Sequence, residues 1–174
     1  GRALTMGENK VLHDPLEGGG PGTTAVNYNT SFDYGASTGF PGGSTYKLFT
    51  LLAWLDAGKG LFDRISGDAR TEDMAKFKDT CTDGGGPFGG KYEFKNDGGQ
   101  TPGAITVADA TAQSVNGAFI SMALQLDLCD IRHVAESLGV ERADGTHLQT
   151  NPSSVLGTNE VTPQEYAELV EEAR

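Results

Sequence analysis

A turn rich in glycine and proline that runs straight into an apolar helix constrains this chain more than any other feature. It reads Gly39-Phe40-Pro41-Gly42-Gly43-Ser44-Thr45-Tyr46-Lys47-Leu48-Phe49-Thr50-Leu51-Leu52. Phe49, Leu51, Leu52 and Leu55 cover more than one stripe, which predicts a buried helix from about Ser44 to Asp56, with Trp54 in its packing. Gly58 and Gly60 supply its stop. Ser44 stands at the junction and Lys47 follows one turn later, on the same helical face. A serine hydroxyl needs an adjacent base to act as a nucleophile. A lysine in a dry, crowded site loses its proton readily enough to serve. Free backbone N–H groups at a helix start suit a developing oxyanion. By itself Ser-x-x-Lys is a weak signal, because serine is also a common helix N-cap.

A second element changes its weight. Ser114-Val115-Asn116 lies at the expected break between a helix over 106–113 and another from Asn116 or Gly117 to about Leu128. A break frees Ser and Asn side chains to point into a cleft, where a helix interior would merely tolerate them. Thr106 or Asp109 is available near the start of the first of these helices. Asp130 is the expected cap of a helix over 131–138, stopped by Gly139. Thr162-Pro163-Gln164-Glu165 reads as a capping box opening a last helix, 163–173. Residues 2–6 and 24–29 are strand candidates, 7–23 a loop and 81–104 a glycine-rich excursion. A short helix is expected near 71–76.

Composition sets bounds. The 174 residues make one domain or a large piece of one. A net charge of −11 argues against nucleic acid or an anionic membrane surface as partner. No apolar run is long enough to span a bilayer. The chain opens on Gly1-Arg2 with no signal peptide, as a segment of something longer would. Gly18-Gly19-Gly20-Pro21-Gly22 is not a phosphate loop, because no Gly-Lys-Ser/Thr follows. Asp79-x-Cys81-x-Asp83-Gly84 lacks the closing glutamate of a calcium loop. His13, His133 and His147 show no metal-ligand spacing among themselves and read as surface or structural groups. Cys81 and Cys129 are too few for a metal site alone. They are one disulfide in a cell-surface domain, or two buried thiols.

With both motifs in place, the chain resembles the transpeptidase domain of a class A, bifunctional penicillin-binding protein of the actinobacterial kind. The segments that carry the resemblance are 39–52 and 106–119, then Gln125-Leu-Asp-Leu-Cys-Asp-Ile131, Ser137-Leu-Gly-Val-Glu-Arg-Ala-Asp-Gly145 and Leu156-Gly-Thr-Asn-Glu-Val-Thr-Pro163. The resemblance implies an α+β fold of the penicillin-binding transpeptidase and β-lactamase type, a mostly helical lobe beside an incomplete antiparallel sheet. Residues 1–174 would be the N-terminal and central part of that domain. It implies Ser44 as acylated nucleophile, Lys47 as its base, Ser114 as proton relay and Asn116 as the group that binds the substrate amide. The Ser44 N–H would be half of the oxyanion hole. It implies peptidoglycan stem peptides ending in D-Ala-D-Ala and β-lactam antibiotics as partners, no metal or organic cofactor, and a place at the extracytoplasmic face of the bacterial membrane. A Cys81–Cys129 disulfide fits it.

One departure stands out: the family's third motif, Lys-Thr/Ser-Gly on a sheet strand, is absent from the 174 residues. The chain is therefore expected to be a piece of a transpeptidase that needs the remainder of the domain, or an inactive one. A β-lactamase would want Ser-Asp-Asn where Ser114-Val115-Asn116 stands, and a glutamate to activate water; neither Glu141 nor Glu160 has that context. The non-enzyme alternative is a β-lactam- or peptidoglycan-binding module on the same fold. Phe40 is a candidate for the cleft wall.

Overall fold

The structure is a computed structural model. It describes residues 36–82 and 88–162, together with 5–6, 11–13, 23–24 and 33. These fall in two compact units: Gly42–Ser137 with Gln149–Thr158, and the remainder.

The first unit is built on helices. The chain enters through a 3-10 turn, Gly43–Tyr46, that passes directly into α1, Lys47–Asp56. The expected helix is thus present, but its first turn is wound more tightly. The expectation of a helix buried on more than one stripe is met in part: Phe49, Ala53 and Trp54 are buried, but Leu51 and Leu52 are half-buried and Leu48 and Leu55 exposed, because neighbours pack against one side only. After α1 come three strands: β1 (Arg64–Ser66), β2 (Arg70–Asp73) and β3 (Lys91–Phe94). Then follow β4 (Ala104–Thr106), α2 (Val107–Ala112), α3 (Asn116–Ala123) and α4 (Leu128–Ser137). β1 pairs antiparallel with β4, and β2 antiparallel with β3. α1 packs against α3 and α4. Trp54, Phe49, Phe119, Ile120, Met122, Leu128 and Ile131 fill the space between them.

The other unit holds a small sheet of Thr5–Met6, Val11–His13 and Thr23–Thr24, and the antiparallel pair Phe40–Pro41 with Glu160–Val161. Val140, Ala143, Leu148 and Val161 are buried there. The antiparallel component is therefore spread over short pairs of two to four residues, not gathered in one sheet. None of the helices described is long and apolar enough to cross a membrane.

Several local expectations are corrected. His13 lies on a strand, not in a loop. Residues 70–73 form a strand with only a 3-10 turn at Met74–Lys76 behind it. The glycine-rich excursion contains β3, because Lys91–Phe94 finds a partner in Arg70–Asp73 that local propensity does not reveal. α3 stops at Ala123, short of Leu128. α4 starts earlier than expected, and its cap is Asp127, not Asp130: Asp127 Oδ1 accepts the Cys129 N–H at 3.0 Å. The helix expected over 163–173, and residues 2–4 and 25–29 of the two strand candidates, lie outside the described residues.

Asp127 has a second duty. Its Oδ1 also accepts the Thr80 N–H at 3.0 Å, and its Oδ2 accepts Thr80 Oγ1–H at 3.0 Å and meets Lys78 Nζ at 3.1 Å. Burial alone would raise this carboxyl, but the Thr80 and Cys129 amides and Lys78 bring it below its usual value. One carboxylate thus ties the start of α4 to the 78–82 loop. Across that junction Cys81 and Cys129 form a disulfide, with Cα atoms 5.1 Å apart and a separation of 48 positions in sequence. Closing a loop of that length restricts the unfolded chain and stabilises the fold by about 2–4 kcal/mol. Reduction is expected to lower Tm by roughly 5–15 °C, read by circular dichroism melts with and without reductant.

Candidate active site

Every group in the site belongs to the helical unit. Lys47 begins α1 and is only 3% exposed. Its Nζ lies 3.1 Å from Ser44 Oγ, 2.9 Å from Ser114 Oγ, 2.7 Å from the Ser114 carbonyl oxygen and 2.6 Å from Asn116 Oδ1. The Phe119 ring lies beneath it, its centroid 5.5 Å away. Burial pushes the ammonium down to about 8, against a smaller opposing pull from Asp97. An ammonium has three N–H donors, and four oxygens stand in range. One contact is therefore oversubscribed, and Ser44, the longest, is the one left to donate its own proton when Lys47 is neutral.

The four residues singled out from the sequence are thus brought to one point. Ser44 and Lys47 meet through helical spacing, which the sequence showed. Ser114 and Asn116 lie at the break between α2 and α3, where the sequence put them; that this break faces Lys47 it did not show.

Both helix ends are informative. α1 closes in a Schellman motif: Gly58 N–H donates to the Leu55 carbonyl at 2.9 Å and Lys59 N–H to that of Trp54 at 3.2 Å, with Gly58 at φ 75°. α2 closes in the same way. Ser114 N–H donates to the Thr111 carbonyl at 3.1 Å and Val115 N–H to that of Ala110 at 3.0 Å. Here the left-handed residue is Ser114, at φ 53°. A serine costs about 1–2 kcal/mol there where glycine would cost little. The conformation turns both its hydroxyl and its carbonyl onto Lys47. Strain kept at the residue that carries the functional groups is the pattern of a site, not of a helix stop. Ser114→Gly is expected to raise stability by about 0.5–1.5 kcal/mol while removing a hydroxyl from the site. A urea titration checks the first effect.

α3 starts with Val115 at the cap, which offers no side-chain acceptor. Asn96 supplies one from elsewhere in the chain: its Oδ1 accepts the Gly117 N–H at 2.8 Å, while its Nδ2 donates to the Gly67 carbonyl at 2.7 Å and that of Gln100 at 3.0 Å. Asn116 is released from capping; its Nδ2 donates to the Lys95 carbonyl at 2.7 Å and its Oδ1 faces Lys47. Gly117 must be glycine, since a Cβ there would overlap the Gly67 carbonyl and come within 2.6 Å of the Asp68 oxygen.

The turn that carries Ser44 is braced from far along the chain. Gly43 N–H donates to the Gly157 carbonyl at 2.9 Å, and a Cβ on Gly157 (φ 85°) would overlap the Gly43 backbone. Ser44 is exposed, in the first turn of the helical segment, where amides lack intrahelical acceptors. Asn96, Asp97 and Gly157 escaped the sequence reading. The one signal for the first was a helix start with Val115 where a capping side chain belongs. Phe40 lies in the other unit, 46% exposed.

Cys81, Cys129 and His133 form a second cluster: His133 Nε2 lies 3.9 Å from Cys81 Sγ and 3.8 Å from Cys129 Sγ. The histidines have no ligand spacing among themselves; the signal in the sequence is the four-residue spacing from Cys129 to His133, which puts both on one face of α4.

The fold is that of the penicillin-binding transpeptidases. The chain is similar to the solved structure of penicillin-binding protein PonA1 from Mycobacterium tuberculosis, with 21% identity and a TM-score of 0.59 over 76% of this chain and 33% of that one. It is similar to penicillin-binding protein A from M. tuberculosis, solved as an imipenem acyl-enzyme complex: 19% identity, TM-score 0.61, over 87% of this chain and 35% of that one. Penicillin-binding protein 1A from Haemophilus influenzae matches at 18% identity and TM-score 0.57, over 73% of this chain and 17% of that one. The chain thus spans about a third or less of the length of these structures. No protein-family model and no curated protein sequence matches it.

Proposed function

We propose that this chain is the nucleophile-bearing, N-terminal and central part of a peptidoglycan D,D-transpeptidase domain. The observation that carries this reading is Lys47 Nζ within 3.1 Å of the Ser44, Ser114 and Asn116 side-chain oxygens at once. Neutral Lys47 takes the Ser44 Oγ proton as Oγ bonds to the carbonyl carbon of the penultimate D-alanine. The Ser44 N–H stabilises the oxyanion. The C–N bond to the terminal D-alanine breaks, and that nitrogen receives a proton through Ser114. Asn116 holds the amide of the stem peptide. A second stem-peptide amine then takes the acyl group and completes the cross-link. A β-lactam enters by the same first step and stays on Ser44.

The similarity to penicillin-binding proteins captured as acyl-enzymes supports this reading. On this reading the enzyme works at the outer face of a bacterial membrane, where its substrate lies. The Lys-Thr/Ser-Gly strand, which supplies the second oxyanion donor, belongs to the remainder of the domain.

Intact mass after incubation with benzylpenicillin decides. A stable adduct equal to the whole drug, absent in Ser44→Ala, is the expected result. An adduct that survives Ser44→Ala overturns the assignment of the nucleophile. No adduct together with saturable binding selects the non-catalytic module. Rapid drug hydrolysis would make it a β-lactamase.

A further inference from the structure

The structure assigns a second site, remote in sequence from Ser44: Cys81, Cys129 and His133, in the reduced protein, form a binding site for a borderline-soft divalent cation such as Zn2+. The three side chains offer ligand atoms that all lie within 4.8 Å of one another. A tetrahedral zinc site with two thiolates and an imidazole has sulfur–nitrogen edges of about 3.5 Å and a sulfur–sulfur edge of about 3.8 Å. His133 Nε2 already stands 3.8 and 3.9 Å from the two sulfurs. Only the sulfurs must part, by roughly 1.7 Å, from disulfide to ligand spacing.

The cysteines do not depend on their bond to stay together. Asp127 Oδ1 accepts the Cys129 N–H and the N–H of Thr80, the neighbour of Cys81. Leu128 N–H donates to the Lys78 carbonyl at 2.9 Å. Asp79 Oδ1 accepts the Cys81 N–H at 3.0 Å. The backbones at both sulfurs are therefore held by hydrogen bonds that reduction leaves intact. Access and charge fit as well. His133 is exposed and shares a surface groove between α1 and α4 with Asp56 and Asp130, whose carboxylates draw cations towards it. Two thiolates and an imidazole suit zinc better than calcium or magnesium, and three protein ligands leave a fourth position for water.

The chemistry balances with an external thiol or phosphine reductant. Two electrons and two protons convert the disulfide to two thiols. The cation then binds both sulfurs as thiolates and the two protons go to solvent. The disulfide and the metal site exclude each other, so the cation is held only under reducing conditions.

The test uses the whole chain, reduced with a phosphine, freed of reductant under inert gas and titrated with Co2+, then Zn2+. The expected result is a one-to-one complex with a thiolate-to-cobalt charge-transfer band and the visible bands of a tetrahedral centre, discharged by Zn2+. The oxidised protein shows none of these. His133→Ala weakens the affinity at least ten- to a hundredfold, and Asp127→Asn weakens it less. Equal Co2+ affinity in wild type and His133→Ala would overturn the site, as would the lack of a charge-transfer band. Loss of the far-ultraviolet dichroism on reduction would also overturn it, because the Asp127 clamp is its premise.

Discussion

With Lys47 as the proposed base, Lys47→Met is expected to lower the rate of Ser44 acylation by benzylpenicillin by about 10²–10⁴-fold, the usual worth of a positioned base. Lys47→Arg does no better, since a guanidinium keeps its proton at any accessible pH. The reason lies in the burial that holds the Lys47 amine at about 8. At pH 7 about a tenth of such amines are neutral, against roughly 3 in 10⁴ for an ordinary lysine. The acylation rate of the wild type therefore rises about tenfold per pH unit below 8 and levels off above it. A rate that is flat between pH 6 and 8 would remove Lys47 from the role of base.

The same shift has a signature in stability. A lysine whose folded pKa lies below its unfolded value of 10.5 weakens the fold while the folded amine is still protonated, below about 8. The penalty, about 3 kcal/mol in order of magnitude, is relieved as pH rises from 8 to 10.5. Other groups titrate in that window, so the measurement is the difference between wild type and Lys47→Met in denaturant midpoints. The wild type gains on the variant as pH rises. Ser114 and Asn116 are half-buried residues, so water can take over the hydrogen bonds of Lys47, and Lys47→Met is expected to fold.

Gly157→Ala is expected to be nearly as damaging to acylation, although residue 157 carries no functional group. Its Cβ would overlap the Gly43 backbone, and the residue sits at φ 85°. The left-handed conformation alone costs an alanine about 1–2 kcal/mol, and relief of the overlap must push the Gly43 turn outwards. That turn carries Ser44. A displacement of about 1 Å at a nucleophile costs on the order of 10² in rate. Expected are a stability loss of about 2–4 kcal/mol and a hundredfold slower acylation at temperatures where the variant is folded. Gly58→Ala is the control: φ is 75° there, but a Cβ meets nothing within 4 Å. It should lose stability alone. Equal acylation rates in Gly157→Ala and Gly58→Ala would show that the Gly43–Gly157 contact does not position Ser44.

These two cases mark the boundary between local and tertiary information. Ser44, Lys47, the turn before them and the apolar helix behind them are written within fourteen consecutive residues, and helical spacing suffices to bring the two side chains together. The break at Ser114 and the cap at Thr106 are likewise local, set by side-chain and backbone choices within one turn of helix. Sequence alone therefore determined the pairing of Ser44 with Lys47, the order of the motifs and the resemblance that rests on them. It did not determine how the pieces meet. That Lys47 faces Ser114 and Asn116 depends on packing α1 against α3 over Phe119. Asn96 as the remote cap of α3, Asp127 as the shared anchor of Thr80 and Cys129, and Gly157 as the brace of Gly43 all act across many residues of chain. A capping hydrogen bond or a close backbone approach is a few ångströms long and leaves no periodicity in sequence. The end of α2 shows how the two kinds of information divide. The sequence shows a serine where a helix should stop; only the folded chain shows that this serine is held left-handed, at a cost, so that both its oxygens point at one amine.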